Sequence, residues 1–274
     1  MTNSLTNLLA TRYGKAFSEL NLELTETLET LLSHKSIRHY LEKPLPDGML
    51  ELLVAAAQSA ASSSNLQLWS VVAITDLERK KRLSELSNNQ TQIVQAPLFL
   101  VWLADVSRLE NIMLAENLDT QGLHQLDLFL IAVIDAALAT QNAVIAAESQ
   151  GLSTCYIGAL RNNVSSVAKE LQLPDGVFPV FGLCVGYANS EKKISVKPRL
   201  PQEAVLHREI YDARHTANAV ENYNQIMAQF YEQNNMNVRG HWAKHCSDRI
   251  LSRAMNSELQ AFLAEKFGAK LKSR

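Results

Sequence analysis

An apolar run of 23 residues, DLFLIAVIDAALATQNAVIAAES at positions 127–149, constrains the fold more than any other stretch. The run is long enough to cross a bilayer as a helix. Asp135 lies near its middle, however, and a carboxylate at the centre of a bilayer costs a few kcal/mol. A helix that is apolar on nearly all sides otherwise belongs inside a protein. We therefore predict a buried core helix that ends near Gly151, a residue type typical of the position after a helix.

Four shorter apolar runs have the length of buried strands. They are LWSVVAIT at 68–75, PLFLVWLAD at 97–105, STCYIGAL at 153–160 and FPVFGLCVGYA at 178–188. Helical segments separate them, including two that we expect to begin at Asp47 and Asp76 as N-cap residues and one at 163–171. The first thirty residues predict one or two amphipathic helices, and the chain after residue 201 predicts polar helices to its end. Alternating strands and helices favour one α/β-type domain.

Composition excludes several classes of protein. The formal net charge is -2 and the pI is about 6.4, so no overall basic field attracts nucleic acid. The three cysteines are far apart and form no CxxC motif, which fits a reducing cytoplasm and neither a disulfide scaffold nor a zinc ribbon. The N-terminus has no continuous apolar segment of the signal-peptide kind. His241 and His245 stand four residues apart but lack the glutamate of HExxH, so we expect no metal site.

Two basic segments are candidates for binding a phosphate, since neither a GxGxxG nor a P-loop motif occurs. The HKSIR segment (34–38) would present His34, Ser36 and Arg38 on one side if it is extended. In the KPR loop (197–199), Pro198 favours extended geometry at Lys197. Taken alone, either segment also fits a solvated surface charge. Likewise the serine run SSSN (62–65) fits a ligand contact or a turn, and Gly158 fits a close approach to something flat or a plain turn.

Seven motifs in a fixed order carry a resemblance to a known family. They are HKSIRHY at 34–40, SSSNLQ at 62–67, NNQ at 88–90, QNAVIAAES at 141–149, YIGALRN at 156–162, FGLCVG at 181–186 and KPRLP at 197–201. The series resembles the flavin-dependent nitroreductase family. More narrowly, it is similar to the NADPH-preferring branch that contains oxygen-insensitive nitroreductases and NADPH-flavin oxidoreductases. The resemblance runs from about residue 25 to the C-terminus and is strongest between residues 34 and 201.

The resemblance implies that both basic segments bind FMN. His34 and Ser36 would hold the phosphate and ribityl end, and Lys197 and Arg199 would hold the phosphate from the other side. Arg38 would lie near N1 and the C2 carbonyl, where a cation stabilises the reduced anion. Ser62 and Asn65 would bond the pyrimidine edge or the ribityl chain, Gln90 the ribityl hydroxyls, and the backbone of 156–159 would run near N5. The full predicted FMN-binding set is His34, Lys35, Ser36, Ile37, Arg38, Ser62, Asn65, Gln90, Tyr156, Ile157, Gly158, Ala159, Lys197 and Arg199. The branch usually has arginine in place of Lys35 and a second glycine in place of Ala159.

The resemblance also implies a fold and an activity. The fold would be of the α+β class, a nitroreductase-like arrangement with a mixed central sheet flanked by helices, in an intertwined homodimer with FMN at the subunit interface. Residues 25–274 would form the FMN domain, and residues 1–24 would be an added helical extension of unassigned function. NADPH would reduce the bound FMN, and a small acceptor, which could be a nitroaromatic, a quinone or a free flavin, would then take the hydride in a ping-pong cycle. No catalytic side chain is required, and neither a nucleic acid nor a membrane is expected as a partner.

The sequence also allows a second function and indicates where the preference for NADPH would come from. A non-enzymatic protein that stores or delivers FMN would keep every phosphate contact and fail to oxidise NADPH. Preference for NADPH would come from basic side chains, for which Arg161, Arg208 and Arg239 are the candidates, because no glycine fingerprint is present to bind a dinucleotide.

Overall fold

Residues 4–192, 194–251 and 257–267 are described by the computed structural model of this chain. The chain forms two compact units, residues 1–35 with 193–255 and residues 36–192 with 256–274. The helices of the described residues are α1 Leu5–Tyr13, α2 Glu26–Ser33, α3 Met49–Gln58, α4 Leu77–Leu86, α5 Thr91–Gln95, α6 Ser107–Ala115, α7 Leu126–Ser149, α8 Val164–Glu170, α9 Thr216–Gln233, α10 Trp242–Leu251 and α11 Ser257–Phe267. The strands are β1 Trp69–Ile74, β2 Leu98–Asp105, β3 Ser153–Ile157 and β4 Val177–Gly186.

The second unit is built on a four-stranded sheet in the order β1-β2-β4-β3. Every residue of β2 is buried, as its continuous apolar sequence predicts. All three strand pairings are antiparallel, which corrects the expectation of a mixed sheet for the described strands. The strands β2 and β3 flank α7 in the chain and run in the same direction, but β4 returns through α8 and lies between them. Because β4 separates them, the crossover through α7 produces no parallel pair.

The helix predicted from the 23-residue run is present as α7 and packs on this sheet. Its buried face is rich in alanine, and these small side chains allow close approach to Leu100, Trp102 and Leu183 of the strands. Along another face Leu126, Leu130, Ile134 and Leu138 recur at every fourth position and are 43–55% exposed. By length and composition alone, α7 is the one helix in the described part of the chain that could cross a membrane, a test that buried helices of soluble proteins also pass. The expectation of a core helix is confirmed for the alanine-rich face of α7 and not for the exposed face. Gly151 follows the end of the helix with φ +74°.

Helix start signals are partly confirmed. Asp76 caps α4, since its side-chain oxygen accepts a hydrogen bond of 2.7 Å from the Arg79 amide. The prediction of an Asp47 cap is wrong, because α3 begins after Gly48 at φ +77°, a conformation that glycine adopts without strain. Strand β3 ends at Ile157, three residues short of the predicted run, and gives way to a 3₁₀ turn at 158–163. Helix α6 is absent from the sequence-based prediction. Its start signal is Asp105, whose side chain accepts a hydrogen bond from the Ser107 amide at 3.0 Å. Because Asp105 is also the last residue of β2, the sequence does not distinguish the two roles.

The first unit is helical and has a small core of its own. Tyr223, Met227 and Tyr231 of α9 are buried, with Leu200 and Trp242 packed against them. In α1, Leu5, Leu8 and Leu9 are buried at helical spacing, as predicted for the N-terminal segment. The predicted helical tail is present as α9, α10 and α11, of which α11 belongs to the second unit, but residues 205–215 form no helix. Residues 252–256 and 268–274 lie outside the described residues.

Candidate functional site

The end of the HKSIR segment that lies in the second unit is anchored to neighbouring segments by backbone hydrogen bonds. The Ile37 amide donates to the Thr154 carbonyl of β3 at 3.0 Å, and the Leu41 amide donates to the Tyr187 carbonyl at 2.9 Å. Ile37 and Tyr40 are buried, whereas the side chain of Arg38 is exposed and Ser36 is partly exposed. The backbone is therefore anchored by buried neighbours while the guanidinium of Arg38 remains accessible to a ligand.

The surroundings of Arg38 include a buried pair of thiols. Cys155 and Cys184 face each other across β3 and β4, and the Tyr40 hydroxyl donates to the Cys184 carbonyl at 3.4 Å. Burial raises the pKa of both thiols, and for Cys155 the nearby charge of Arg38 partly opposes that shift. Burial also raises the pKa of Tyr40 far above its usual range. All three groups are neutral at pH 7, so the predicted burial of inert thiols is confirmed.

The SSSN loop is held by Asp135 of α7. The Ser62 hydroxyl donates to Asp135 Oδ2 at 2.7 Å, the Ser63 amide donates to Oδ1 at 3.2 Å, and the Leu68 amide donates to Oδ2 at 3.4 Å. Asp135 is 2% exposed. The Ser62 oxygen also accepts from the Gln67 amide at 2.8 Å. The single proton of Ser62 is thus donated inside the protein, which leaves this hydroxyl only acceptor capacity for a ligand.

The same loop contains unusual backbone geometry. Ser64, Asn65 and Gln67 have φ of 49°, 55° and 52°, in the left-handed region that residues with side chains seldom adopt. Such residues cost of order 1 kcal/mol each, and they cluster at functional sites. Asn65 is exposed, and its side-chain oxygen accepts from Gln67 Nε2 at 3.2 Å. The contacts to Asp135 explain how a strained loop is maintained beside an apolar helix.

Gln90 lies just before α5, after two asparagines. Asn88 and Asn89 have φ of 60° and 54°, so a second left-handed turn precedes Gln90. The Gln90 side-chain oxygen accepts from Gln92 Nε2 at 2.6 Å, and its backbone carbonyl accepts from the Ser84 hydroxyl at 2.9 Å. Gln90 is therefore positioned through both its backbone and its side chain.

The end of β3 presents an exposed stretch of backbone. Tyr156 packs edge-on against Phe181 with ring centroids 5.1 Å apart, and its hydroxyl donates to Gln141 Oε1 at 3.3 Å. Ile157 is buried, Gly158 is exposed and Ala159 is partly exposed. A Cβ at Gly158 would lie 3.4 Å from the Arg161 guanidinium, which itself donates to the Val180 carbonyl. Arg161 is thereby held against the chain, which makes it a weaker candidate than Arg208 and Arg239, both exposed, for selecting a nucleotide phosphate.

In the first unit, the backbone of the KPR loop is held at each residue. The Lys197 carbonyl accepts from Arg12 Nη1 at 3.2 Å, the Pro198 carbonyl accepts from the Tyr223 hydroxyl at 2.9 Å, and the Arg199 amide donates to the Arg12 carbonyl at 2.9 Å. Pro198 is buried, and the Arg199 side chain is exposed. The loop therefore has a fixed backbone and an exposed terminal cation.

His34 lies at the C-terminal end of α2 in the same unit. Its amide donates to the Leu31 carbonyl at 3.4 Å, and its carbonyl accepts from Arg12 Nη2 at 2.8 Å. Its imidazole is half-buried and Lys35 is exposed. Of the predicted FMN-binding residues, those of the first unit are His34, Lys35, Lys197 and Arg199, and the others belong to the second unit.

Comparison with known proteins identifies the family. Residues 31–187 match the nitroreductase family, and residues 197–272 match the C-terminal domain of that family. The chain belongs to the nitroreductase family. The resemblance drawn from the seven motifs is thereby confirmed, and so is the α+β fold class of nitroreductase type.

Individual relatives of this nitroreductase-family chain cover most of its length. FMN reductase (NADPH) of Bacillus subtilis is 40% identical over 238 residues, which are 84% of this chain and 91% of the relative. Oxygen-insensitive NADPH nitroreductase of Salmonella typhimurium is 36% identical over 243 residues, 88% of this chain and 96% of the relative. The solved structure of NfrA1 nitroreductase from Bacillus subtilis superposes with a TM-score of 0.83 at 34% identity and covers 88% of this chain and 98% of that one.

Two residues with clear structural roles were not among the predicted site residues of this family member. Asp135 interrupts the apolar run, and a buried carboxylate in such a run signals that polar partners are present. Arg12 lies before residue 31, where the match to the family begins, and the sequence around it contains no motif.

Proposed function

We propose that this chain is an FMN-dependent NADPH oxidoreductase that reduces small acceptors such as nitro compounds or flavins. The observation that carries the proposal is the 40% and 36% identity, over more than four fifths of the chain, to relatives named FMN reductase (NADPH) and oxygen-insensitive NADPH nitroreductase. The seven motifs lie within it, and the residues they contribute fit the cofactor.

The phosphate end of FMN suits the basic residues of the first unit. Lys35 and Arg199 are exposed cations, and Lys197 and the half-buried imidazole of His34 extend from segments whose backbone is already bonded. Charge-assisted hydrogen bonds to phosphate oxygens are stronger than neutral ones, and arginine can make two in parallel. A fixed backbone reduces the entropy lost when these side chains take hold of a ligand.

The ring end of FMN suits Arg38, the SSSN loop and the backbone around Gly158. Arg38 offers an accessible cation on an anchored strand segment, and the backbone around Gly158 is exposed at the end of β3. In the SSSN loop, the Ser62 oxygen can accept a hydrogen bond from a ligand, and the Asn65 side chain is exposed. Both suit a ligand that carries N–H and hydroxyl groups. FMN, when bound, supplies a centre at N5 that can take up a hydride and give it away.

The chain's own residues have binding and orienting roles in this chemistry. Arg38 stabilises negative charge near N1, and the basic residues of the first unit hold the phosphate. Tyr156 is protonated at pH 7, as an ordinary tyrosine is, and partial burial raises the pKa of its hydroxyl further. NADPH and the acceptor would use one surface in turn, which predicts ping-pong kinetics.

The proposal includes a homodimer. Its support is the apolar stripe on α7 formed by Leu126, Leu130, Ile134 and Leu138, which are 43–55% exposed in the single chain. Contiguous apolar surface of this kind marks an interaction site, and a two-fold interface would pair the same stripe from both subunits. Free buried thiols suit a reducing compartment, so we expect the protein in the cytoplasm.

The visible spectrum of the purified protein tests the function. We expect a yellow protein with about one FMN per subunit, which follows from one phosphate-binding set per chain. NADPH added without air should bleach the flavin band, and a nitroaromatic should restore it. A colourless protein that neither binds added FMN nor oxidises NADPH would refute the proposal, and a yellow protein that ignores NADPH would instead support FMN storage.

A further inference from the structure

The N-terminal helix α1 precedes the region matched to the family, which begins at residue 31. It nevertheless contains one of the most extensively bonded side chains of the first unit. Arg12, near the end of α1, is only 9% exposed. A buried arginine requires several acceptors to offset the loss of its hydration, so its partners reveal what the helix is positioned against.

The guanidinium of Arg12 joins the two segments that carry the predicted phosphate ligands. Nη2 donates to the carbonyls of Leu32 and His34, both at 2.8 Å, at the end of α2 and the start of the HKSIR segment. Nη1 donates to the Lys197 carbonyl at 3.2 Å in the KPR loop. The backbone carbonyl of Arg12 also accepts from the Arg199 amide at 2.9 Å. One residue therefore contacts both basic segments.

The chemistry of these contacts explains why the residue is arginine. The last carbonyls of α2 have no partner inside the helix, and a cation at a helix C-terminus is favourable. A planar guanidinium with two terminal nitrogens can serve acceptors on two separate segments at fixed geometry, whereas the lysine ammonium is a single point.

The end of α1 is fitted against the KPR loop as well. Gly14 ends α1 with φ +64°, and a Cβ at this position would lie 3.1 Å from Pro198 Cγ and 2.5 Å from Ile226 Cγ2. The Tyr223 hydroxyl of α9 donates to the Pro198 carbonyl of the same loop at 2.9 Å. The position of α1 relative to the loop is thus specified by shape in addition to hydrogen bonds.

We propose that Arg12 is a positioning residue for the phosphate of FMN, and that the N-terminal extension serves this role in the chain. Arg12 acts through the backbone of His34, Lys197 and Arg199 and does not itself touch the phosphate. The inference rests on the proposed function, since it assumes that these three residues bind FMN. Its consequence is selectivity: the loss of Arg12 weakens the binding of phosphorylated flavin and leaves the contacts to the ring unchanged.

The experiment compares FMN with riboflavin, which has the same ring and ribityl chain and no phosphate. Dissociation constants of both flavins are measured by fluorescence quenching with the full-length apoprotein of the wild type, Arg12→Met, Arg12→Lys and Thr11→Ala. Thr11 is the matched control, because it is the exposed neighbour of Arg12 and its hydroxyl donates within α1, to the Asn7 carbonyl. Thermal unfolding of each variant is recorded without flavin.

We expect Arg12→Met to raise the Kd for FMN by roughly tenfold to a hundredfold, the effect of misplacing one or two charge-assisted bonds. The Kd for riboflavin should change little, Arg12→Lys should fall between, and Thr11→Ala should match the wild type. If Arg12→Met does not fold, Arg12→Lys carries the same comparison.

Three results separate the possible failures. Equal loss of FMN and riboflavin would overturn the inference, because it would show a general structural effect. Unchanged Kd values in both Arg12 variants would overturn it as well, while leaving the proposed function intact if the wild type prefers FMN. A wild type that binds neither flavin would overturn the proposed function itself.

Discussion

Replacing Asp135 by asparagine tests whether a buried carboxylate maintains the strained SSSN loop. Asp135 accepts hydrogen bonds from the Ser62 hydroxyl and from the amides of Ser63 and Leu68. An asparagine has the same shape but only one acceptor oxygen. If its NH₂ group takes the place of Oδ2, it faces the Leu68 amide, and Leu68 is 1% exposed, so no water compensates there. If the NH₂ group takes the place of Oδ1, it faces the amide of the exposed Ser63, and the cost lies at the lower end of the range.

The expected cost follows from these contacts. One buried backbone donor without a partner costs about 1–3 kcal/mol, and loss of the charge weakens the bonds that remain by about 1 kcal/mol more. Asp135→Asn should therefore lower the free energy of unfolding by about 2–4 kcal/mol. For a chain of this size, the melting temperature should fall by roughly 5–15 °C.

Two measurements and a control variant test whether Asp135 maintains the SSSN loop. Thermal unfolding gives the stability, and hydrogen exchange gives the local protection of the Ser63 and Leu68 amides, which should fall more than protection in β2. Asp127→Asn is the matched control, because Asp127 is an exposed carboxylate in the first turn of the same helix. If Asp135→Asn unfolds at the temperature of Asp127→Asn and both amides stay protected, the carboxylate does not hold the loop and the reasoning is wrong.

Three further predictions concern other parts of the molecule. Arg199→Ala should raise the Kd for FMN roughly tenfold to a hundredfold and leave hydride transfer in FMN-saturated enzyme nearly unchanged, as stopped-flow kinetics would show. Ile134→Glu places a charge in the exposed apolar stripe of α7 and should convert a dimer into a monomer in analytical ultracentrifugation; an unchanged mass would contradict the proposed interface. Burial raises the pKa of Tyr40 above its ordinary 10.0, so this hydroxyl ionises at a lower pH in the unfolded chain than in the folded chain. The contribution of Tyr40 to the free energy of unfolding should therefore be full below about pH 10 and fall as the pH rises further. Tyr40→Phe should lessen that fall in urea titrations at pH 8 and pH 10.5, and an equal fall in both proteins would refute the assignment.

The elements of the second unit were largely predictable because their sequences carry strong periodic signals. The runs at 68–75 and 97–105 became β1 and β2, and the apolar run at 127–149 became α7. Strand order was not predictable in this way, since it depends on where β4 inserts after α8, and no local pattern encodes that position. The prediction that Asp47 caps α3 was wrong for a related reason. Gly48 precedes the helix in a left-handed conformation, and a rule based on capping side chains does not consider that possibility.

Prediction of the candidate site was limited by a different cause. The basic and polar side chains were found from motifs, because those residue types recur where a phosphate and a flat ring must be bound. Residues that hold the backbone behind them carry no such pattern. Arg12 contacts the Lys197 carbonyl across 185 positions, and Asp135 contacts Ser62 across 73. A carbonyl can be bonded by any donor that the fold brings near, so its partner is specified by topology alone.

Arg12 and Asp135 have opposite charges and serve opposite ends of the proposed ligand, which makes their variants mutually informative. Arg12 fixes segments assigned to the phosphate, so its loss should affect FMN and spare riboflavin. Asp135 fixes the loop assigned to the ring and ribityl chain, which both flavins share, so Asp135→Asn should weaken both by a similar factor. The two residues lie in different units of the chain, and effects of independent sites add. In the double variant, therefore, the ratio of the two Kd values should equal that of the Arg12 variant alone. A ratio that changes when Asp135→Asn is added would show that the loop also influences the phosphate, and the assignment of separate roles would have to be abandoned.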